Sequence, residues 1–242
     1  MENNTITISD VCKNHGQKQI LDHITLTARP GRVTAFLGPN GAGKSSTLRI
    51  LLGLDHAKSG TAVFGQQTYQ QITDPLKRVG VAFDGIGGNP NRTVKTHLKI
   101  IAVSNGISTK RIYDVLSLVQ LTSKIHAKLG TLSLGEGQRL GIAITLLGDP
   151  QFLIFDEPTN GLDPQGIKWF RTFIRIQADC GKTVLLSSHY LSEIEAVADD
   201  VIIIKKGKIV LAGELHEIMP NLKSLEDVFF SLTEGESQYE IN

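Results

Sequence analysis

The run Gly38-Pro39-Asn40-Gly41-Ala42-Gly43-Lys44-Ser45 satisfies the pattern G-x-x-x-x-G-K-[ST] in full. Its glycines let a loop wrap so that backbone N–H groups point inward at phosphate oxygens, and a helix that follows adds its positive N-terminal end to the same anion. In such a loop Lys44 bridges the β- and γ-phosphates of a nucleotide, and the Ser45 hydroxyl can ligate Mg²⁺. A second chemical signal lies far downstream, where the apolar Phe152, Leu153, Ile154 and Phe155 end in Asp156 and Glu157. A buried strand carrying acids at its tip delivers them to the edge of a parallel sheet, where α/β folds bind ligands. Asp156 can then reach Mg²⁺, and Glu157 can orient and deprotonate a water. His189 lies just past another strand-like run, 183–187.

Elements must position these residues. Val33 to Leu37 is a short, mainly apolar run of buried-strand type; the glycine loop follows, and then a helical segment over 44–52 closed by Gly53. Ile6 and Ile8, then Ile24, Leu26 and Ala28, alternate with polar neighbours on either side of a turn-rich stretch at 13–18, which predicts two strands. A strand at 79–83 precedes a Gly/Asn/Pro-rich loop at 85–91. Beyond it the spacing is helical: Ile112, Val115, Leu116 and Val119 share one face. Strand and helix alternate again from 149, with strands at 152–155 and 184–186 around a helix at 165–178. A hairpin at 201–211 and short helices near 215–219 and 225–232 complete the expected order. The tail from Glu234 is polar.

Composition narrows the function. The chain has 242 residues, with 25 Lys+Arg against 24 Asp+Glu and 40% hydrophobic side chains, so no global field favours nucleic acid or an anionic membrane. Neither 141–148 nor 183–192, the longest charge-free apolar stretches, approaches the ~20 residues of a spanning helix, and no signal peptide is legible, which points to the cytosol. Cys12 and Cys180 stand alone without a CxxC, arguing against a disulfide framework or a zinc site and for a reducing compartment.

With Leu132-Ser133-Leu134-Gly135-Glu136, followed by Gln138-Arg139, placed before the acidic strand, the chain resembles the ATP-binding domain of an ABC transporter over essentially its whole length. The glycine loop and the acidic strand match the family's Walker A and Walker B segments. Residues 132–136 resemble its LSGGQ signature, Asn160-Gly161-Leu162-Asp163 its D-loop and His189 its switch histidine. The resemblance implies an α/β P-loop NTPase core, a mainly parallel sheet with an N-terminal antiparallel β subdomain, interrupted by an all-helical signature subdomain. Residues 1–85 and 149–213 would form the core, 86–148 the helical part and 214–242 the C-terminal helices and tail. It also implies ATP and Mg²⁺ as ligands, with Gly38 to Ser45, Ser46, His15, Ser133, Gly135 and Asp163 contacting nucleotide, Ser45, Asp156 and Asp84 serving the metal, and Lys44, Glu157 and His189 catalysing hydrolysis.

Three positions depart from the family's common form. Asp84 stands where Gln is usual; a carboxylate can approach metal or water but cannot donate a hydrogen bond. His15 occupies the position of the aromatic ring that stacks on adenine, offering a smaller surface. Leu134 and Glu136 replace Gly and Gln of the signature, while Ser133 and Gly135 remain. Asp84, together with the segment 224–233, resembles the daunorubicin- and bacteriocin-resistance exporters. The implied assembly is a head-to-tail homodimer enclosing two ATP molecules, attached at the cytoplasmic face of a membrane through a separate permease subunit and without nucleic acid. The competing reading is a soluble ABC ATPase that assembles proteins or iron-sulfur clusters.

Overall fold

The computed structural model describes residues 4–83, 86–188, 190–219 and 224–233. The chain opens with β1 (Ile6–His15) and β2 (Lys18–Ala28), an antiparallel hairpin whose inward residues Ile6, Ile8, Leu21, Ile24 and Leu26 are buried. Its strands run further than the turn-rich composition of 13–18 predicts, because Gly16, at φ 59°, makes the reversal with Gln17 alone and leaves His15 paired to Lys18. There follow β3 (Val33–Leu37), α1 (Lys44–Leu51), β4 (Ser59–Phe64), α2 (Pro75–Arg78) and β5 (Val79–Ala82). Between β5 and β6 come α3 (Val94–Ser104), α4 (Arg111–Leu118) and α5 (Leu134–Leu146), with no strand among the described residues of that stretch. The chain closes with β6 (Phe152–Asp156), α6 (Pro164–Asp179), β7 (Thr183–Ser188), α7 (Leu191–Glu195), β8 (Asp200–Lys205), β9 (Lys208–Glu214), α8 (Leu215–Ile218) and α9 (Leu225–Thr233).

Two sheets result. β2-β1-β4 is antiparallel; the larger sheet has the order β5-β6-β7-β3-β8-β9 and is parallel except for β9. Alternation along its strands divides the core. Phe36, Phe152, Ile154, Leu185 and Ile202 face the small sheet and Leu48 and Leu51 of α1, while Leu37, Leu153, Phe155, Leu186 and Ile203 face the other way with Phe170 and Ile174 of α6. Ile112, Val115, Leu116 and Val119 are all buried, as their spacing predicts, and Leu140, Ile142, Ala143 and Leu146 bury the matching face of α5. Leu225 of α9 is fully buried and Val228, Phe229 and Leu232 pack against the same core.

This topology decides where a ligand can sit. The third strand lies between the seventh and the eighth, so the chain leaves β3 in one direction and β6 and β7 in the other, opening a crevice at their C-terminal ends. Leu37 is level with Ser188, and Asp156 with Ser187. The glycine loop and the acidic strand tip therefore emerge at one edge.

Candidate functional site: a phosphate cleft and a separate signature face

The glycine loop is held by its surroundings as well as by its sequence. A Cβ on Gly38 would stand 2.4 Å from the Ile204 carbonyl oxygen, and Gly41 and Gly43 have φ of 76° and 118°, a region that side chains strain. Gly43 is the N-cap of α1; it supplies no side-chain cap, and the first turn carries no acid. Amides that a capping side chain satisfies in other helices are thus available to an anion, next to the positive end of the helix dipole.

Lys44 is nearly fully buried, and its Nζ donates to the Gly38 carbonyl at 2.6 Å with Glu157 Oε1 4.0 Å away. Burial pushes its pKa down; the nearby Glu157 and Asp156 oppose this. Ser45 Oγ donates to Asp156 Oδ2 at 3.0 Å, and Ser187 Oγ holds the other oxygen of the same carboxylate. Glu157 sits at φ 51°, a left-handed conformation uncommon outside glycine. Its N–H is gripped by the carbonyl of Ser187 at 3.2 Å and by Ser187 Oγ at 3.1 Å. That turn, which no sequence pattern signalled, ends the strand so that two successive acids remain beside the loop.

Pro39, Asn40, Gly41, Gly43, Lys44, Ser45, Ser46, Asp156 and Glu157 line one cleft of about 210 Å³. Gly38 and Ala42 lie buried in the loop that forms its wall. Ile20 adds an apolar edge that the sequence did not point to. His15 is exposed at the end of the hairpin and is absent from this lining. Asp84 and His189 lie outside the described residues.

Ser133 and Gly135 belong to a different surface. Ser133 caps α5 through a reciprocal box: its Oγ accepts from the Glu136 N–H at 3.2 Å, and Glu136 Oε2 accepts from the Ser133 N–H at 2.9 Å. With Leu132, Leu134 and Gln138 it lines a second depression. Leu134, the residue in place of glycine, is 73% exposed. Gly135 lies so close to Gly161 that a Cβ would meet the Gly161 carbonyl at 3.0 Å, and Asp163 Oδ1 caps α6 by accepting from the Gly166 N–H at 2.7 Å. Arg139, over the Trp169 ring at 4.5 Å and bonded to the Val119 carbonyl at 3.2 Å, joins α4, α5 and α6 behind this face.

The box makes Glu136 testable. Its carboxyl is held below the usual carboxylate range first by the Ser133 N–H and then by Lys124. A depressed folded-state pKa contributes stability that is present above the unfolded value and lost as pH falls through the folded one. Glu136→Gln keeps a box-forming side chain and removes the charge, so it is expected to flatten the acid limb of the unfolding curve while neutral-pH stability changes by less than about 1 kcal/mol. Chemical denaturation across pH measures both; an acid limb as steep as the parent's would contradict this role.

Comparison with known proteins agrees with this geometry. A model of the ABC transporter family matches residues 21–160. The chain is 42% identical over 208 residues to the bacitracin transport ATP-binding protein BcrA of Bacillus licheniformis, covering 85% of this chain and 68% of that one. It is 35% identical to the Nod factor export ATP-binding protein I of Cupriavidus metallidurans, over 88% and 72% of the two chains. A solved ATP-binding subunit of an ABC transporter superposes with a TM-score of 0.86 at 24% identity, over 94% and 98% of the two chains. With a phosphate loop, an acidic strand tip and a signature-bearing helix in these places, the chain belongs to the ABC transporter family, as one of its ATP-binding ATPases.

Proposed function

We propose that this chain is the ATP-hydrolysing subunit of an exporter whose membrane part is a separate protein, and that its cargo is a drug, lipid or antimicrobial peptide. The convergence of Lys44, Ser45, Asp156 and Glu157 on one cleft carries the reading. The loop amides and the N-terminus of α1 bind the phosphates, and Lys44 turns from the Gly38 carbonyl toward them. Ser45 and Asp156 suit Mg²⁺: their oxygens are 3.0 Å apart, close to the edge of about 3 Å of an octahedron with Mg–O bonds near 2.1 Å. Bound there, the ion neutralises charge on the phosphates. Glu157, held rigidly through its backbone, orients a water and takes its proton; His189 assists at the γ-phosphate, and Asp84 approaches the metal or the water. Ile20 offers the base an apolar contact beside the weaker surface of His15.

Ser133 and Gly135 stand on a face of their own and serve the nucleotide of a second copy, with Asp163 positioned beside them. Two copies placed head to tail give each ATP a phosphate loop from one chain and a signature from the other. ATP then holds the dimer closed, and hydrolysis opens it.

No helix of the described residues is long and apolar enough to cross a membrane; in this reading the coupling to a bilayer runs through the partner. The names of the similar proteins, which specify bacitracin transport and Nod factor export, favour export over the assembly ATPase. Co-expression with the candidate membrane chain, detergent extraction and purification test this. A stoichiometric complex in the membrane fraction, with an ATPase rate that responds to cargo, is expected. A wholly soluble protein bound to a cytosolic scaffold would favour the assembly reading.

A further inference from the structure

The pairing of β1 with β2 slips between Val11↔Ile24 and Lys13↔Leu21, so that Cys12 alone faces both Asp22 and His23. His23 at this slip, and Asp10 at the neighbouring one between Ile8↔Leu26 and Val11↔Ile24, take left-handed backbone conformations, with φ of 54° each. One donor atom from each of Cys12, Asp22 and His23 lies within 4.8 Å of the others. His23 Nδ1 meets Asp10 Oδ1 at 2.5 Å, and Nε2 lies 3.8 Å from Asp22 Oδ1. The Cys12 thiol is buried and accepts the His23 N–H at 3.3 Å, while the His23 side chain opens to solvent.

We infer that Cys12, Asp22 and His23 bind a thiophilic divalent cation, Zn²⁺ by chemistry, at a site apart from the nucleotide cleft. Thiolate, imidazole and carboxylate are the ligand set of zinc, whereas Mg²⁺ takes oxygen ligands. Asp10 is the positioning residue: by accepting from Nδ1 it turns the Nε2 lone pair toward Asp22, the carboxylate–histidine arrangement of zinc sites. Three protein ligands leave the fourth, solvent-facing position to water. The donors must draw together, since tetrahedral ligands at about 2.0–2.3 Å stand roughly 3.5 Å apart. Asp22 must also yield part of its present bonding: Gln19 donates to Oδ1 at 2.9 Å and Lys208 to Oδ2 at 2.9 Å. Binding releases the Cys12 proton to solvent. The chain spacing concealed this set, because only the slipped pairing places Cys12 opposite residues ten and eleven positions later.

Cobalt titration of the nucleotide-free protein tests the site, with Co²⁺ as the probe and its thiolate charge-transfer absorption as the signal. One equivalent of Co²⁺ is expected to produce the band, and Zn²⁺ to displace it. Cys180→Ser should keep it and Cys12→Ser lose it. His23→Asn, which tolerates the left-handed backbone and leaves the thiol in place, should lower the affinity at least tenfold, and Asp10→Asn about 10- to 100-fold. No band in the parent protein, a band surviving Cys12→Ser, or unchanged affinity in His23→Asn would each overturn the assignment.

Discussion

Lys44→Ala is expected to remove most ATP binding and, with it, turnover. The ammonium is already desolvated and held 2.6 Å from a loop carbonyl, so the cost of placing a charge in the cleft is incurred on folding rather than on binding. Moving it to a phosphate exchanges a neutral acceptor for an ionised one. A hydrogen bond to a charged group contributes about 1.5–3 kcal/mol, or roughly 10- to 150-fold in affinity. Turnover falls further, because charge accumulates near Lys44 in the transition state. Calorimetry with ATP and Mg²⁺ measures the first effect and phosphate release the second. Since burial lowers the Lys44 pKa, the alanine variant should be at least as stable as its parent, which separates lost binding from lost folding. Parent-like ATP affinity in the variant would remove Lys44 from the phosphate site.

Glu157→Gln should give a different pattern. The amide preserves size and hydrogen bonding but cannot accept the water's proton, so turnover should fall by about 10²- to 10⁴-fold while ATP affinity stays near that of the parent. The backbone supports this separation: Glu157 is held by its N–H on Ser187 and by its carbonyl, which accepts from Gln138 Nε2 at 3.4 Å. The side chain can therefore change without displacing Asp156. Near-parent turnover in this variant would show that another group activates the water.

Residues whose chemistry depends on local spacing were the most legible in the sequence. The glycine loop and the acidic strand tip each occupy a few consecutive positions, and the fold brings the two into one cleft. Elements without a burial pattern were not legible. β4 is exposed over its first three residues and gains its place from pairing with β1, while α2 and α7 are too short for a helical period to appear. Conformation at single residues was also hidden: nothing in Asp156-Glu157-Pro158 announces the left-handed turn at Glu157. Ile20 reaches the cleft because the first hairpin folds beside the phosphate loop, where the Gly207 N–H donates to Ala42 at 2.8 Å and the Gly207 carbonyl accepts from Asp22. Such contacts depend on pairing between distant strands, which hydrophobic periodicity does not encode.

A nucleotide shared between two copies is the central claim, and the mass of Glu157→Gln in solution tests it most directly. With ATP and Mg²⁺, light scattering on a sizing column should show the 26.3 kDa chain at twice that mass. ADP in place of ATP, or Ser133→Arg added to the same variant, should return it to one chain, because each removes one side of the shared phosphate contact. A variant that binds ATP and stays monomeric, or a dimer indifferent to both ADP and Ser133→Arg, would contradict the claim.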